Sequence, residues 1–203
     1  MKPLLILLLA AAAYGADTLD VFGRVWSVPN RADWKITESE GSSVLQLSTS
    51  REPLPGPRRP IQFALADVSG YSRLRLEADV MPLGGSLLIV FAYRDEAHFD
   101  YAHLSVDTAA KQPVHNGIFH VYGGERVRIS AESGPAAFAA GRRWYHVALM
   151  HEPVTGTVRV LVDGKTLPAL EATDRSLGPG RTGPGSFDET GAFKNVRIEL
   201  TGP

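Results

Sequence analysis

The sequence predicts an all-β protein, a two-sheet antiparallel β-sandwich of the jelly-roll kind, on three observations. Short apolar or alternating runs recur from Leu19 to Leu200, roughly a dozen of them, as in sandwiches with closely spaced strands. Turn-forming Gly, Pro, Asn and Asp separate these runs. No stretch beyond the N-terminus has the apolar period of a helix longer than a turn or two. No internal repeat is visible, which argues against a propeller or solenoid.

The 203 residues suffice for one sizeable core and are rather short for two ordinary domains. Lys and Arg number 21 against 22 Asp and Glu, so no charge excess points to nucleic acid or an anionic membrane as partner. Residues 1–15 read as a secretory signal peptide: Lys2, an apolar run from Leu4 to Ala13, and small residues up to Gly15, after which cleavage is expected. The run is too short to span a bilayer comfortably, so no membrane insertion is expected after cleavage. A secreted or periplasmic chain of residues 16–203, forming one domain, is the expectation. There is no Cys to form a disulfide, so the core alone must hold it. Nothing in the sequence reports the oligomeric state.

In chain order, Asp20–Phe22, Trp34–Ile36 and Val44–Leu47 are short strand pieces separated by the turns at Pro29-Asn30 and Glu40–Ser43. Arg51–Pro60 holds four prolines and reads as a surface loop ending in Arg58-Arg59. Ile61–Ala66 resumes a strand. Leu74, Leu76, Ala78 and Val80 alternate with Arg73, Arg75, Glu77 and Asp79, so one face meets the core and the other meets water. Ser86–Val106 reads as a hairpin turning at Arg94–His98. Its first arm is apolar throughout, and its second places Phe99, Tyr101, His103 and Ser105 on one face. Gly117–Tyr122 and Arg126–Ser130 form strands about a Gly123-Gly124 turn. Gly134–Gly141 is loop, and Arg143–Met150 and Thr157–Val162 are strands. Asp163-Gly164 is a hairpin turn, Leu177–Gly185 is a Gly/Pro loop, and Ala192–Leu200 is the last strand, with one break in its alternation.

The hairpin YRDEAHFDYAHLS, the strand WYHVAL, the turn in VRVLVDGKTL and the closing GSFDETGAFKNVRIEL resemble the concanavalin A-like lectin and glucanase superfamily. Within it, they are most similar to laminin-G-like and keto-disaccharide-hydrolase-like modules. The resemblance spans about Trp34 to Leu200 and implies two curved sheets of six or seven strands, with a concave face that binds glycan in many relatives. It also implies a structural calcium near the last strand. Lys194 stands where an acid is expected, which leaves Asp188 or Glu189 as candidate ligands. The paired glutamates of the superfamily's glucanases are absent: no E-x-D-x-E occurs. The superfamily's jelly-roll lyases use a His and a Tyr, and Tyr101 precedes His103 where they often carry a Gln.

Tyr101 and His103, His120 and Tyr122, and Arg126 and Arg128 form polar rows on neighbouring strands. Aligned in one sheet, together with Arg59 and with His115 and Asn116 at the rim, they would make a sugar-binding surface: rings for the apolar pyranose face, donors for hydroxyls or a uronate carboxylate. The histidines His98, His103, His115 and His120 lack metal-ligand spacing, so no metal is expected from them. Three functions result. The chain is a glycan-binding protein, or a polysaccharide lyase or glycoside hydrolase using His103 and Tyr101, or a structural or protein-interaction module. Trp26, Trp34 and Trp144 are expected in packing roles.

Overall fold

The computed structural model describes residues 17–52 and 55–202; the expected signal peptide lies outside the described residues. In chain order the strands are β1 (Asp17–Val21), β2 (Arg24–Val28), β3 (Trp34–Ser39), β4 (Ser42–Leu47), β5 (Gln62–Phe63), β6 (Leu65–Ala66), β7 (Arg73–Pro82) and β8 (Ser86–Asp95). They continue with β9 (His98–Ser105), β10 (Gly117–Tyr122), β11 (Glu125–Arg128), β12 (Tyr145–Glu152), β13 (Thr157–Val162), β14 (Lys165–Thr173), β15 (Arg181–Ser186) and β16 (Gly191–Thr201). The only helix among the described residues is a single 3-10 turn, Arg31–Asp33, capped by the Asn30 side chain.

The strands make two sheets. One has nine strands, with β1-β2-β6-β15-β8-β9-β10-β11 in order and β5 joined to β15; the other has seven, ordered β14-β13-β12-β7-β16-β4-β3. All strand pairs are antiparallel, so the expected sandwich is present, with one sheet of the anticipated size and one larger by two or three strands. The core between the sheets takes the inward alternate residues of each: Leu74, Leu76, Ala78 and Val80 from β7, and Leu87, Ile89 and Phe91 from β8. Trp26 and Trp34 are buried there, and Trp144 lies beneath the Lys194 ammonium.

Two bulges re-aim side chains. Ala92 at φ 50° shifts the β8–β9 register, so Phe91 and Ala92 both turn inward and Tyr93 turns out. Asn195 at φ 54° accounts for the break in alternation of the last strand. Three expectations are corrected. Phe22 lies in the β1–β2 turn at φ 59° rather than in a strand. Ile61–Ala66 is interrupted at Ala64, whose N–H donates to the Pro184 carbonyl at 2.9 Å. Arg181–Ser186, which overlaps the loop expected at Leu177–Gly185, is an interior strand, because Gly183 and Gly185 let the backbone of β5 and β6 approach more closely than any side chain would permit.

Candidate functional site

β9 alternates as expected. Ala102 and Leu104 enter the core, while Phe99 and Tyr101 face outward from the nine-stranded sheet. The β9–β10 register pairs Tyr101 with Phe119 and Asp100 with His120. The β10–β11 register pairs Phe119 with Arg128 and Val121 with Arg126. The arginines therefore share the outer face with Tyr101 and His103, as anticipated. His120 and Tyr122 do not join them: in this register they fall on the opposite face, His120 beside Asp100 and Tyr122 exposed with its ring 4.9 Å from His98.

The outer face is not an open row of rings. Leu88, Val90, Phe99, Tyr101, Phe119 and Phe187 form a second apolar cluster there, and this cover leaves Tyr101 and His103 only 0% and 2% exposed. His103 Nδ1 donates to the Val114 carbonyl at 3.0 Å, and Nε2 has no partner among the described residues. Burial, then the neighbouring His115, pushes the His103 pKa down to about 3. His103 is therefore a neutral interior imidazole and cannot exchange protons with a ligand in solvent. Burial also pushes Tyr101 up to about 12, opposed by Arg126 beside its hydroxyl, and that hydroxyl has no hydrogen-bond partner among the described residues.

Arg126 lies over the Phe187 ring at 4.7 Å and Arg58 over the same ring at 5.2 Å. Arg58 pairs with Asp188 at 2.6 Å, whereas Arg126 has no ion pair among the described residues. The remaining expected ligand contacts have structural duties. Arg128 donates to the carbonyls of Pro113, His115 and Asn116, the nearest at 2.6 Å, and clips the 107–116 loop to the sheet. Gly117 makes room for that guanidinium. Asn116, at φ 48° and fully buried, donates to the Pro135 carbonyl at 2.9 Å and accepts from Ala137 N–H at 3.0 Å. It fastens two loops and does not reach a rim. His115 is half-buried, with Nδ1 3.2 Å from the Ser105 hydroxyl.

The open feature of this face lies on the other side of the 55–60 strap. A cleft of about 540 Å³ there is lined by Phe63, Leu65, Tyr93, Arg59 and Arg181, with Asn30, Asp33 and Glu96 among its polar groups. Arg181 stacks on Tyr93 at 4.7 Å, and Arg59 is the one sequence-predicted contact that lines the cleft. Asp33, buried at the cleft, accepts from Arg51 Nε at 2.6 Å and Nη2 at 2.7 Å, and from Gln62 Nε2 at 3.1 Å. Asp33→Ala strands these donors and should cost about 2–3 kcal/mol, read as a lower urea midpoint with unchanged slope. An unchanged midpoint would remove Asp33 as an anchor of the cleft.

A further cluster escaped the sequence reading. His120 Nδ1 lies 2.6 Å from Asp100 and 3.0 Å from Asp174, which arrives from the segment after β14. Burial raises the Asp100 pKa to about 6, and Asp100 in turn raises His120. A His beside two carboxylates from distant segments leaves no spacing signal in a sequence. These three residues could together hold a metal ion. The calcium position fares differently: Asp188 is committed to Arg58, and Glu189 accepts from the backbone N–H groups of Gly85 and Ser86. That donor set does not fit a cation needing six or more oxygen ligands.

No family model matches the chain, and no curated protein matches its sequence. Among solved structures it is similar to the carbohydrate-binding module CBM66 from Bacillus subtilis, at 18% identity and TM-score 0.60, covering 86% of this chain and 94% of that one. It is also similar to a candidate glycosyl hydrolase from Parabacteroides distasonis, at 13% identity and TM-score 0.53, covering 84% and 91%. At these identities the likeness shows the fold alone, a two-sheet jelly-roll β-sandwich.

Proposed function

We propose that the chain is an exported glycan-binding protein, its residues 16–203 one β-sandwich, that seats a saccharide in the cleft over Phe63 and Tyr93. The observation that carries this reading is the cleft itself. Its volume of about 540 Å³ lies in the range of small-molecule sites, the largely buried Phe63, Leu65 and Tyr93 give it an apolar floor, and Arg59, Arg181, Asn30 and Glu96 offer donors and acceptors for hydroxyls. The carbohydrate-binding fold it shares supports the same choice. Export rests on the composition of residues 1–15.

The enzyme reading loses its proposed base, because the His103 imidazole is enclosed and held neutral by its surroundings. Binding without turnover is the reading the geometry favours.

The test is retention of the mature protein on an array of plant, algal and bacterial polysaccharides, with reducing ends and unsaturated uronate absorbance followed in parallel. Retention without product is expected, and Arg181→Ala, which removes a cleft wall and the cation over Tyr93, should weaken binding about tenfold, the scale of one good polar contact. A folded protein that no glycan retains would sink the proposal.

A further inference from the structure

The strap that bounds the cleft places two consecutive guanidinium groups on different sides. Arg59 lines the cleft, while Arg58 lies over Phe187 with Arg126. On that second side, positive charge exceeds negative. Arg126 and Arg128 come from β11 and Arg58 from the strap, and Asp188 is the one carboxylate paired with any of them among the described residues. Arg128 spends its N–H groups on loop carbonyls and makes no ion pair among the described residues, with Glu132 as its nearest acidic influence. Arg126 is half-buried, makes no ion pair among the described residues, and projects beside the Tyr101 hydroxyl, the one acceptor near its guanidinium.

Beneath these arginines lie two polar atoms that burial should have removed or satisfied. Tyr101 Oη and His103 Nε2 are both enclosed and both without a partner among the described residues. An unmet buried hydroxyl costs roughly 1–3 kcal/mol, and such groups are seldom kept without a use. Here the hydroxyl of a nearly fully buried tyrosine has only the Arg126 guanidinium near it, at a geometry that falls short of a direct hydrogen bond. A ligand oxygen that drew the Arg126 fork toward it would complete the set, and a planar oxyanion is the group that a guanidinium fork matches best.

From this we propose a second subsite on the same face: Arg126 and Arg58, flanking Phe187, bind the oxyanion substituent of an acidic glycan, a uronate carboxylate or a sulfate ester. It rests on the glycan reading and deepens it. A neutral sugar occupies the cleft, the chain crosses the strap between Arg59 and Arg58, and the charged residue meets Arg126. Both guanidinium groups stack on Phe187; Arg126 is half-buried there and supplies a partly desolvated donor, while Arg58 is exposed and shared with Asp188.

The experiment measures affinity by calorimetry at fixed ionic strength for oligogalacturonate, its methyl ester and a sulfated galactan, beside the neutral glycans that the array retains. The free acid or the sulfated chain is expected to bind about tenfold tighter than the uncharged probes. Arg126→Gln should erase that margin and leave binding of neutral glycans unchanged. Arg159→Gln, which removes the same charge from the other sheet, should leave the margin intact. Preference for the acid over the sulfated galactan assigns the seat to a uronate, and the reverse assigns it to a sulfate ester. Equal affinity for acid and methyl ester, with no gain on the sulfated chain, overturns the subsite and leaves the cleft reading standing. So does a margin lost equally in Arg126→Gln and Arg159→Gln, which would mean diffuse attraction. Binding of no probe and no glycan overturns both.

Discussion

Gly183→Ala is expected to cost about 4 kcal/mol or more and to lower the melting temperature by roughly 10 °C. Gly183 lies in β15, between β8 and the short strands β5 and β6, and a Cβ there would overlap the Ala64 carbonyl oxygen and press on the Trp26 ring at 3.2 Å. The obstacle on one side is backbone, which cannot rotate away as a side-chain tip can. Relief would require β5 and β6 to separate from β15, opening the sheet beside the cleft. Two other glycines separate space from conformation. Gly202 has open surroundings, and its replacement by Ala should change stability by less than about 0.5 kcal/mol. Gly23 also has open space but sits at φ +68°, so Gly23→Ala should cost about 1 kcal/mol for the left-handed backbone alone. Urea midpoints for the three variants give the order directly. If Gly183→Ala unfolds no earlier than Gly202→Ala, the close approach at β15 is not what holds the sheet together.

Acid should unfold the protein through two buried histidines. His103 has its pKa pushed down to about 3 by burial, and His151, beside the Tyr71 hydroxyl at 3.2 Å, has its own pushed down to about 4. Both folded values lie below the ordinary 6.5 of an unfolded chain, so their stabilising effect is complete above about pH 6.5 and is lost as pH falls. Each contributes a slope of about 1.4 kcal/mol per pH unit, and over the two units down to about pH 4.5 the pair removes roughly 5 kcal/mol. The Asp100–His120 contacts act in the opposite sense. Their folded values are raised, so their effect is fullest in acid and fades as pH rises through about 6 and beyond for Asp100 and His120 in turn. His103→Phe places a ring among Tyr101, Phe119 and Phe187 and removes one titration. It should flatten the fall in stability between pH 6.5 and 4.5 by about 1.4 kcal/mol per unit, whatever it does to stability at neutral pH. Asp100→Asn should steepen the same fall. Denaturation curves at several pH values measure both, and an unchanged slope in His103→Phe would mean that this imidazole already binds a proton in the folded chain.

Most strands were legible because their signals are local. The alternation of β7, the paired arms of β8 and β9, and the Asp163-Gly164 turn each need only neighbouring residues to be recognised. β15 was not legible. Arg-Thr-Gly-Pro-Gly-Ser has poor strand propensity, and it is a strand because β8 on one side and β5 and β6 on the other supply its hydrogen-bond partners. The site was legible to a similar depth. Alternation placed Tyr101 and His103 on one face of β9, and Arg126 and Arg128 do share it. Whether that face was open depended on Phe187, the strap and the 107–116 loop, which come from three separate parts of the chain.

The sequence by itself determined the all-β class, the antiparallel hairpins, the inward residues of β7 and the two faces of β9, because side-chain period and turn chemistry act over a few residues. The tertiary structure alone decided which polar groups meet. Register across β9, β10 and β11 sent His120 to Asp100 and Asp174 and left Arg126 beside Tyr101. The loops folded over the outer face then buried His103 and left the cleft beside Tyr93 and Arg181 as the open part of that face, since covering one part of a sheet and exposing another is settled by contacts between residues far apart in the chain.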